Sequence, residues 1–190
     1  MSDGSVFSFL FGLAHKNQLL DWLFVFLASY LIIFLVIVFL YFLFKEKDWR
    51  HRFYFSSLSI ISVILSRGIL TTLIRFSYDR PRPFVVENIQ PLIDHAATPS
   101  FPSGHIAFIL PLALTIWLIN RRAGWWFLIA ALFIGLGRVA IGIHWPSDIF
   151  GGILIGSISF FSAYYLLKWK GVSGKHLTLS ITPFKSSADI

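Results

Sequence analysis

The 190-residue chain contains no cysteine and a single methionine, and only 13% of it is charged. Without cysteine there is neither a disulfide framework nor a thiolate metal site, and the redox compartment stays open. Acidic residues are scarce as well, nine against sixteen basic ones, which leaves a formal net charge of +7. What fills the chain instead is apolar: 56% is hydrophobic and 18% aromatic. A soluble domain of this length has too little interior to hide so much apolar surface, so composition points to a membrane protein. The positive charge does not imply nucleic acid, because the basic residues sit in short clusters between apolar runs rather than along one soluble face.

Those apolar runs predict an all-α membrane bundle. Trp22–Phe44 is 23 residues without a charge. At 1.5 Å per residue it reaches roughly 34 Å, enough for a hydrocarbon core of about 30 Å. Phe53–Ile74, interrupted by Arg67, Gly104–Ile119, Gly124–Ile143 and Ile149–Leu167 complete five predicted spans. The segment Val6–Leu13 is too short to cross, and with Leu19 and Leu20 it predicts an interfacial or half-inserted helix, a possible partial sixth element. Residues 1–5 hold Asp3 and no Lys or Arg, and no small-residue cleavage site follows, so this start does not read as a cleaved signal peptide. Residues 1–170 are expected to form one membrane-embedded domain, and residues 171–190 a flexible cytoplasmic tail.

The loops alternate in charge. Lys45, Lys47, Arg50 and Arg52, then Arg121 and Arg122, then Lys168, Lys170, Lys175 and Lys185 put ten basic residues on one side. The other side holds Lys16, Arg80 and Arg82, with Arg75 and Arg138 at helix ends. The positive-inside rule assigns the ten to the cytoplasm, so the loops 76–103 and 144–148 are expected to face outward.

Polar residues that are costly near a membrane gather at those outward helix ends. Arg75, Arg82 and Arg138 offer guanidinium forks that match phosphoryl oxygens and keep their charge. Ser103 and Gly104 open a helix, where unpaired N–H groups and the dipole favour an anion. Asp148 lies four residues after His144, a reach at which a carboxylate can hold one imidazole nitrogen and leave the other free to attack. His105 is the natural proton donor to a leaving group. One such arginine alone usually snorkels to the interface, and one such histidine is more often structural. Together, three arginines, two histidines, a Ser-Gly helix start and an aspartate from four distant segments favour chemistry.

Arg75-x6-Arg82-Pro83, Pro102-Ser103-Gly104-His105 and Gly137-Arg138-x5-His144-x3-Asp148 resemble the three-part signature of the type 2 phosphatidic acid phosphatase superfamily. The resemblance implies a membrane lipid phosphatase that needs no metal or other cofactor. It makes His144 the nucleophile that becomes phosphorylated, Asp148 its orienter and His105 the acid. Arg75, Arg82, Ser103, Gly104 and Arg138 would bind the phosphoryl group. Arg75 stands where the family usually has lysine, and Gly137 where it usually has serine.

Within the family, the small size and the stretches 80–84 and 92–97 resemble the bacitracin-resistance type of undecaprenyl-diphosphate phosphatase. Asp94 and His95 would then lie in a loop that meets the diphosphate, although an exposed loop pair explains them equally well. A phosphatase for glycerophospholipid or other lipid monophosphates is the alternative enzyme. A non-catalytic headgroup transporter is the alternative of another class, which has no need of an aspartate-held histidine opposite a second histidine. Arg67, mid-span, is expected to face the bundle interior or a polar partner. Gly152 and Gly156 are expected to serve close helix packing.

Overall fold

The computed structural model describes residues 3–169, and every regular element among them is helical. A short helix α1 (Asp3–Phe11) precedes α2 (Gln18–Lys45) and α3 (Trp49–Ser77). The single-turn α4 (Pro83–Val86) lies in the loop that leads to α5 (Gly104–Ile119). α6 (Arg121–Ala140) and α7 (Pro146–Trp169) follow. Four of these helices, α2, α3, α6 and α7, are long and apolar enough to cross a membrane, and α5 is a shorter apolar helix. The predicted tail, with Lys170, Lys175 and Lys185, lies outside the described residues.

Three of the long helices start where a side chain satisfies free N–H groups. Asn17 accepts from the N–H groups of Leu19 and Leu20, Asp48 from Arg50, and Asn120 from Ala123, the usual economy of an N-cap. Pro146 opens α7, where its missing N–H costs nothing. The caps move three predicted starts, and α3 begins at Trp49, four residues before Phe53. α2 begins four residues before Trp22, and α6 runs 121–140 rather than 124–143. Past Ala140 the chain turns through Gly142 at φ +91°, which ends the helix before His144.

α5 is the hub, packed against α3, α6 and α7. Ile106, Ile109, Ala113 and Ile116 on it are at most 1% exposed, and they meet Leu58 of α3 and Ile134 of α6. Gly152 lets α7 lie directly on α5: a Cβ there would come 2.8 Å from the Ser103 carbonyl oxygen and 2.9 Å from Ile106 Cβ. Gly156 repeats the contact one turn on, with Leu110 Cβ at 3.1 Å from such an atom. The expected close packing at these two glycines is what the structure has.

Two helices widen into π turns, Phe26–Tyr30 in α2 and Ile64–Leu70 in α3. Such turns recur at functional sites because they re-aim side chains and backbone groups. Here both lie against the end of the bundle where the conspicuous polar residues collect.

Candidate active site

Successive helices run antiparallel, so the end of α3, the starts of α5 and α7 and the end of α6 all come to one end of the bundle. Arg75 sits in the last turn of α3, Ser103 caps α5, Gly104 and His105 open it, Arg138 is in the last turn of α6, and Asp148 is in the first turn of α7. Arg82 and His144 come from the intervening loops. The fold therefore brings together all eight residues that the sequence singles out.

At the centre is His144, 1% exposed. Its Nδ1 lies 3.1 Å from Asp148 Oδ2, and its Nε2 lies 3.5 Å from a terminal nitrogen of Arg82. Asp148 Oδ2 also accepts from the Trp145 N–H at 2.8 Å, and Oδ1 accepts from Arg80 at 2.8 Å. A carboxylate so supplied with donors holds the proton on Nδ1 and leaves the lone pair on Nε2. Burial first, then the fields of Arg138, Arg82 and Arg75, keep the His144 imidazole well below the ordinary value of 6.5, so it is neutral at pH 7.

The arginines divide by how far the protein uses them. Arg82 is 2% exposed and committed to backbone: it donates to the carbonyls of Thr98 at 2.8 Å and Ile143 at 2.7 Å. Burial and the nearby Arg75 pull it down to about 10, which leaves it cationic. Arg75 donates to the Pro102 carbonyl at 2.8 Å, and Arg138 to the Ala28 carbonyl in the π turn of α2 at 3.1 Å. The Nε groups of Arg75 and Arg138 and the hydroxyl of Ser103 are buried without a protein partner. Buried unpaired donors are costly, and three of them at the same end of the bundle as the neutral His144 imidazole suit a tetrahedral anion.

Arg80 and Asp3 belong to this centre as well, and Asp3 carries no sequence signal that reveals it. Arg80 donates to Asp148 and to the Ser147 hydroxyl at 2.6 Å, and with its other terminal nitrogen to Asp3 at 2.6 Å. Asp3 also accepts from the Ser147 N–H at 2.9 Å. Burial raises the Asp3 carboxyl, but hydrogen bonds from Ser147 and Arg80 outweigh it and leave the group below its ordinary value. The short N-terminal helix thus caps the site end, with the Phe7 ring tilted against Trp145 at 5.1 Å between centroids. The Arg80-Pro81-Arg82 spacing was the one available hint.

The loop histidine His95 is close enough to feel Arg82, Arg138 and Arg75; burial chiefly, and those charges with it, lower its pKa. Arg67 departs from expectation. Its side chain is exposed and lies over Gly104 at the site's edge instead of turning into the bundle. Gly137 has a packing reason: a Cβ there would sit 3.0 Å from both Ala28 N and Leu27 Cβ, so a serine would require the π turn of α2 to give way by a few tenths of an ångström.

A helical membrane-type bundle with these groups converging at one end has the architecture of an integral-membrane lipid phosphatase. Residues 56–171 match the PAP2 superfamily, and the chain belongs to that family, whose members are metal-independent lipid phosphatases. It is 32% identical over 154 residues to the undecaprenyl-diphosphatase BcrC of Bacillus subtilis (strain 168), covering 80% of this chain and 78% of that one. Two solved structures share the fold. Aquifex aeolicus LpxE superposes with a TM-score of 0.68 at 23% identity, covering 85% of this chain and 93% of that one. The first transmembrane PAP2 type phosphatidylglycerolphosphate phosphatase from Bacillus subtilis gives 0.65 at 20%, covering 88% and 85%.

Proposed function

We propose that this chain crosses the membrane five times and hydrolyses undecaprenyl or another polyprenyl diphosphate to the monophosphate, with its site on the extracytoplasmic side. The reading rests above all on the buried His144–Asp148 pair, whose Nε2 lies 3.5 Å from Arg82 at the end of the bundle where Arg75, Arg138 and Ser103 carry unpaired donors. The likeness to BcrC supplies the substrate class. Asp148 orients His144, and Nε2 attacks the terminal phosphorus to form a phosphohistidine. Arg75, Arg138, Ser103 and the N–H groups at Gly104 neutralise the charge that builds on the phosphoryl oxygens, and Arg82 holds the loops around it. His105, in the first turn of α5 and within electrostatic range of His144, gives a proton to the departing group. Water then cleaves the phosphohistidine and releases inorganic phosphate.

The purified protein in detergent with excess EDTA is expected to release phosphate from a polyprenyl diphosphate faster than from phosphatidic acid or phosphatidylglycerol phosphate. Preference for a glycerophospholipid would replace the substrate assignment. Activity that disappears with the chelator and returns with a divalent cation would overturn the mechanism.

A further inference from the structure

Arg67 is unused by everything above. It lies in the π turn Ile64–Leu70 of a helix that crosses the apolar layer, and among the described residues it makes no hydrogen bond or ion pair. A charged side chain in a membrane span is costly and, where it persists, it serves a pathway or a ligand. Its placement is held. The Ser66 hydroxyl donates to the Ala107 carbonyl at 2.7 Å, which pins the π turn to the first turns of α5. The Thr71 hydroxyl donates to the Ser66 carbonyl at 2.8 Å and secures the same turn from above.

So pinned, Arg67 lies flat on the glycine of Pro-Ser-Gly-His. A Cβ at Gly104 would stand 2.8 Å from Arg67 Nε and 3.3 Å from its Cζ. The guanidinium is within electrostatic range of both Arg75 and His105. It is therefore beside the proton donor, on the edge of the phosphoryl site. One turn further from the site, at Ile64 and Phe108, an apolar groove of about 440 Å³ opens between α2, α3 and α5, walled by Val36, Phe39 and Leu112. Along this line the structure offers His144, then His105 with Arg67, then a hydrocarbon-lined groove.

We infer that Arg67 binds the inner phosphate of a diphosphate substrate and holds the lipid monophosphate as it leaves, with the lipid chain running into the groove. The inference rests on the proposed diphosphatase reading and adds a residue that discriminates diphosphates from monophosphates. When His144 Nε2 bonds to the terminal phosphorus, the bond from that phosphorus to the bridging oxygen breaks. The electron pair goes to the bridging oxygen, which becomes a terminal oxygen of the lipid monophosphate. The leaving group is then a phosphate that gains a negative charge, and a guanidinium beside it stabilises departure. A monophosphate ester has no inner phosphate, and its more basic leaving alkoxide relies on the proton of His105 alone.

The test compares farnesyl diphosphate with farnesyl monophosphate, turned over by full-length enzyme carrying Arg67→Gln, Arg67→Met or Arg67→Lys. Gln and Met are expected to lower kcat/KM for the diphosphate by about 10- to 100-fold, the range of one charge-assisted contact, while the monophosphate changes by less than about threefold. Lys, which keeps the charge, is expected to recover part of the loss. The ratio of the two substrates is unaffected by the fraction of folded enzyme, so a poorly folding variant still reports. If wild type prefers the diphosphate and the Gln and Met variants lose both activities equally, or lose neither, Arg67 has no such role. If wild type prefers the monophosphate, the diphosphatase reading itself fails and takes this inference with it.

Discussion

A proton arriving at His144 would have to enter a site that already feels Arg138, Arg82 and Arg75 and has no water-facing surface on the ring. A neutral imidazole is the form that can attack phosphorus, and burial and the arginines keep His144 in that form on the acid side of neutrality. If His144 is that nucleophile, the acid limb of kcat/KM owed to it is expected well below pH 6.5. His144→Ala is expected to abolish both turnover and the phosphoenzyme trapped by rapid quench. His105→Ala is expected to lose roughly 10²–10⁴-fold on a lipid substrate and to recover in part with an activated leaving group, which needs little protonation. An activated substrate that rescues His144→Ala but not His105→Ala would reverse the two roles. Arg80 and Asp3 act one step further out. By donating to Asp148 Oδ1, Arg80 limits how that carboxylate can swing, and Asp3 fixes Arg80 from the opposite side.

Among the elements, α5 is the one whose length matters most. Its 16 residues reach roughly 24 Å, less than the ~30 Å of a hydrocarbon core. The helix can be short because the loop 78–103 folds back over its start, so irregular backbone there is covered by protein. The Ser100 N–H donates to the Arg80 carbonyl and the Leu92 N–H to the Ile141 carbonyl, which tie that loop to its own beginning and to the turn before His144. The π turns set the two flanks, one presenting the Ala28 carbonyl to Arg138 and the other Arg67 to Gly104. Gly137→Ser, which would restore the residue usual in the family, is expected to destabilise the enzyme by about 1–3 kcal/mol, the cost of forcing atoms into a filled contact. Thermal unfolding in detergent measures it. An unchanged midpoint with higher activity would show that α2 yields easily and that Gly137 is no packing requirement.

For the whole molecule, the bundle places Arg75, Arg82, His105, Arg138 and His144 at one end and the Lys45–Arg52 and Arg121–Arg122 clusters at the other. If the basic end is cytoplasmic, a cysteine at the exposed Glu87 is expected to react with an impermeant thiol reagent applied to intact cells, and one at the exposed Lys47 is not. No native cysteine competes for the label. The reverse pattern would turn the site toward the cytoplasm. If the groove between α2, α3 and α5 holds the lipid chain, the same arrangement brings its headgroup to the charged end.

The all-helical class, the approximate limits of the apolar helices and the three polar clusters were legible in the residue order, because apolar run length and costly polar residues are local properties. Helix ends were less so: α6 stops at Ala140 because Gly142 turns the chain and Asn120 caps the start, both outside the apolar pattern. The site's core could be read from spacing, since four residues from His144 to Asp148 is one turn of backbone. Asp3 could not, for its contact with Ser147 joins residues 144 positions apart and forms only when α1 folds onto the bundle. Nor could the meaning of Gly137, which depends on a π turn in another helix. Sequence alone thus determined the membrane class and pointed to the side chains that converge at one end of the bundle. Tertiary packing decided which of them the protein itself consumes, as with Arg82, and which it leaves unpaired.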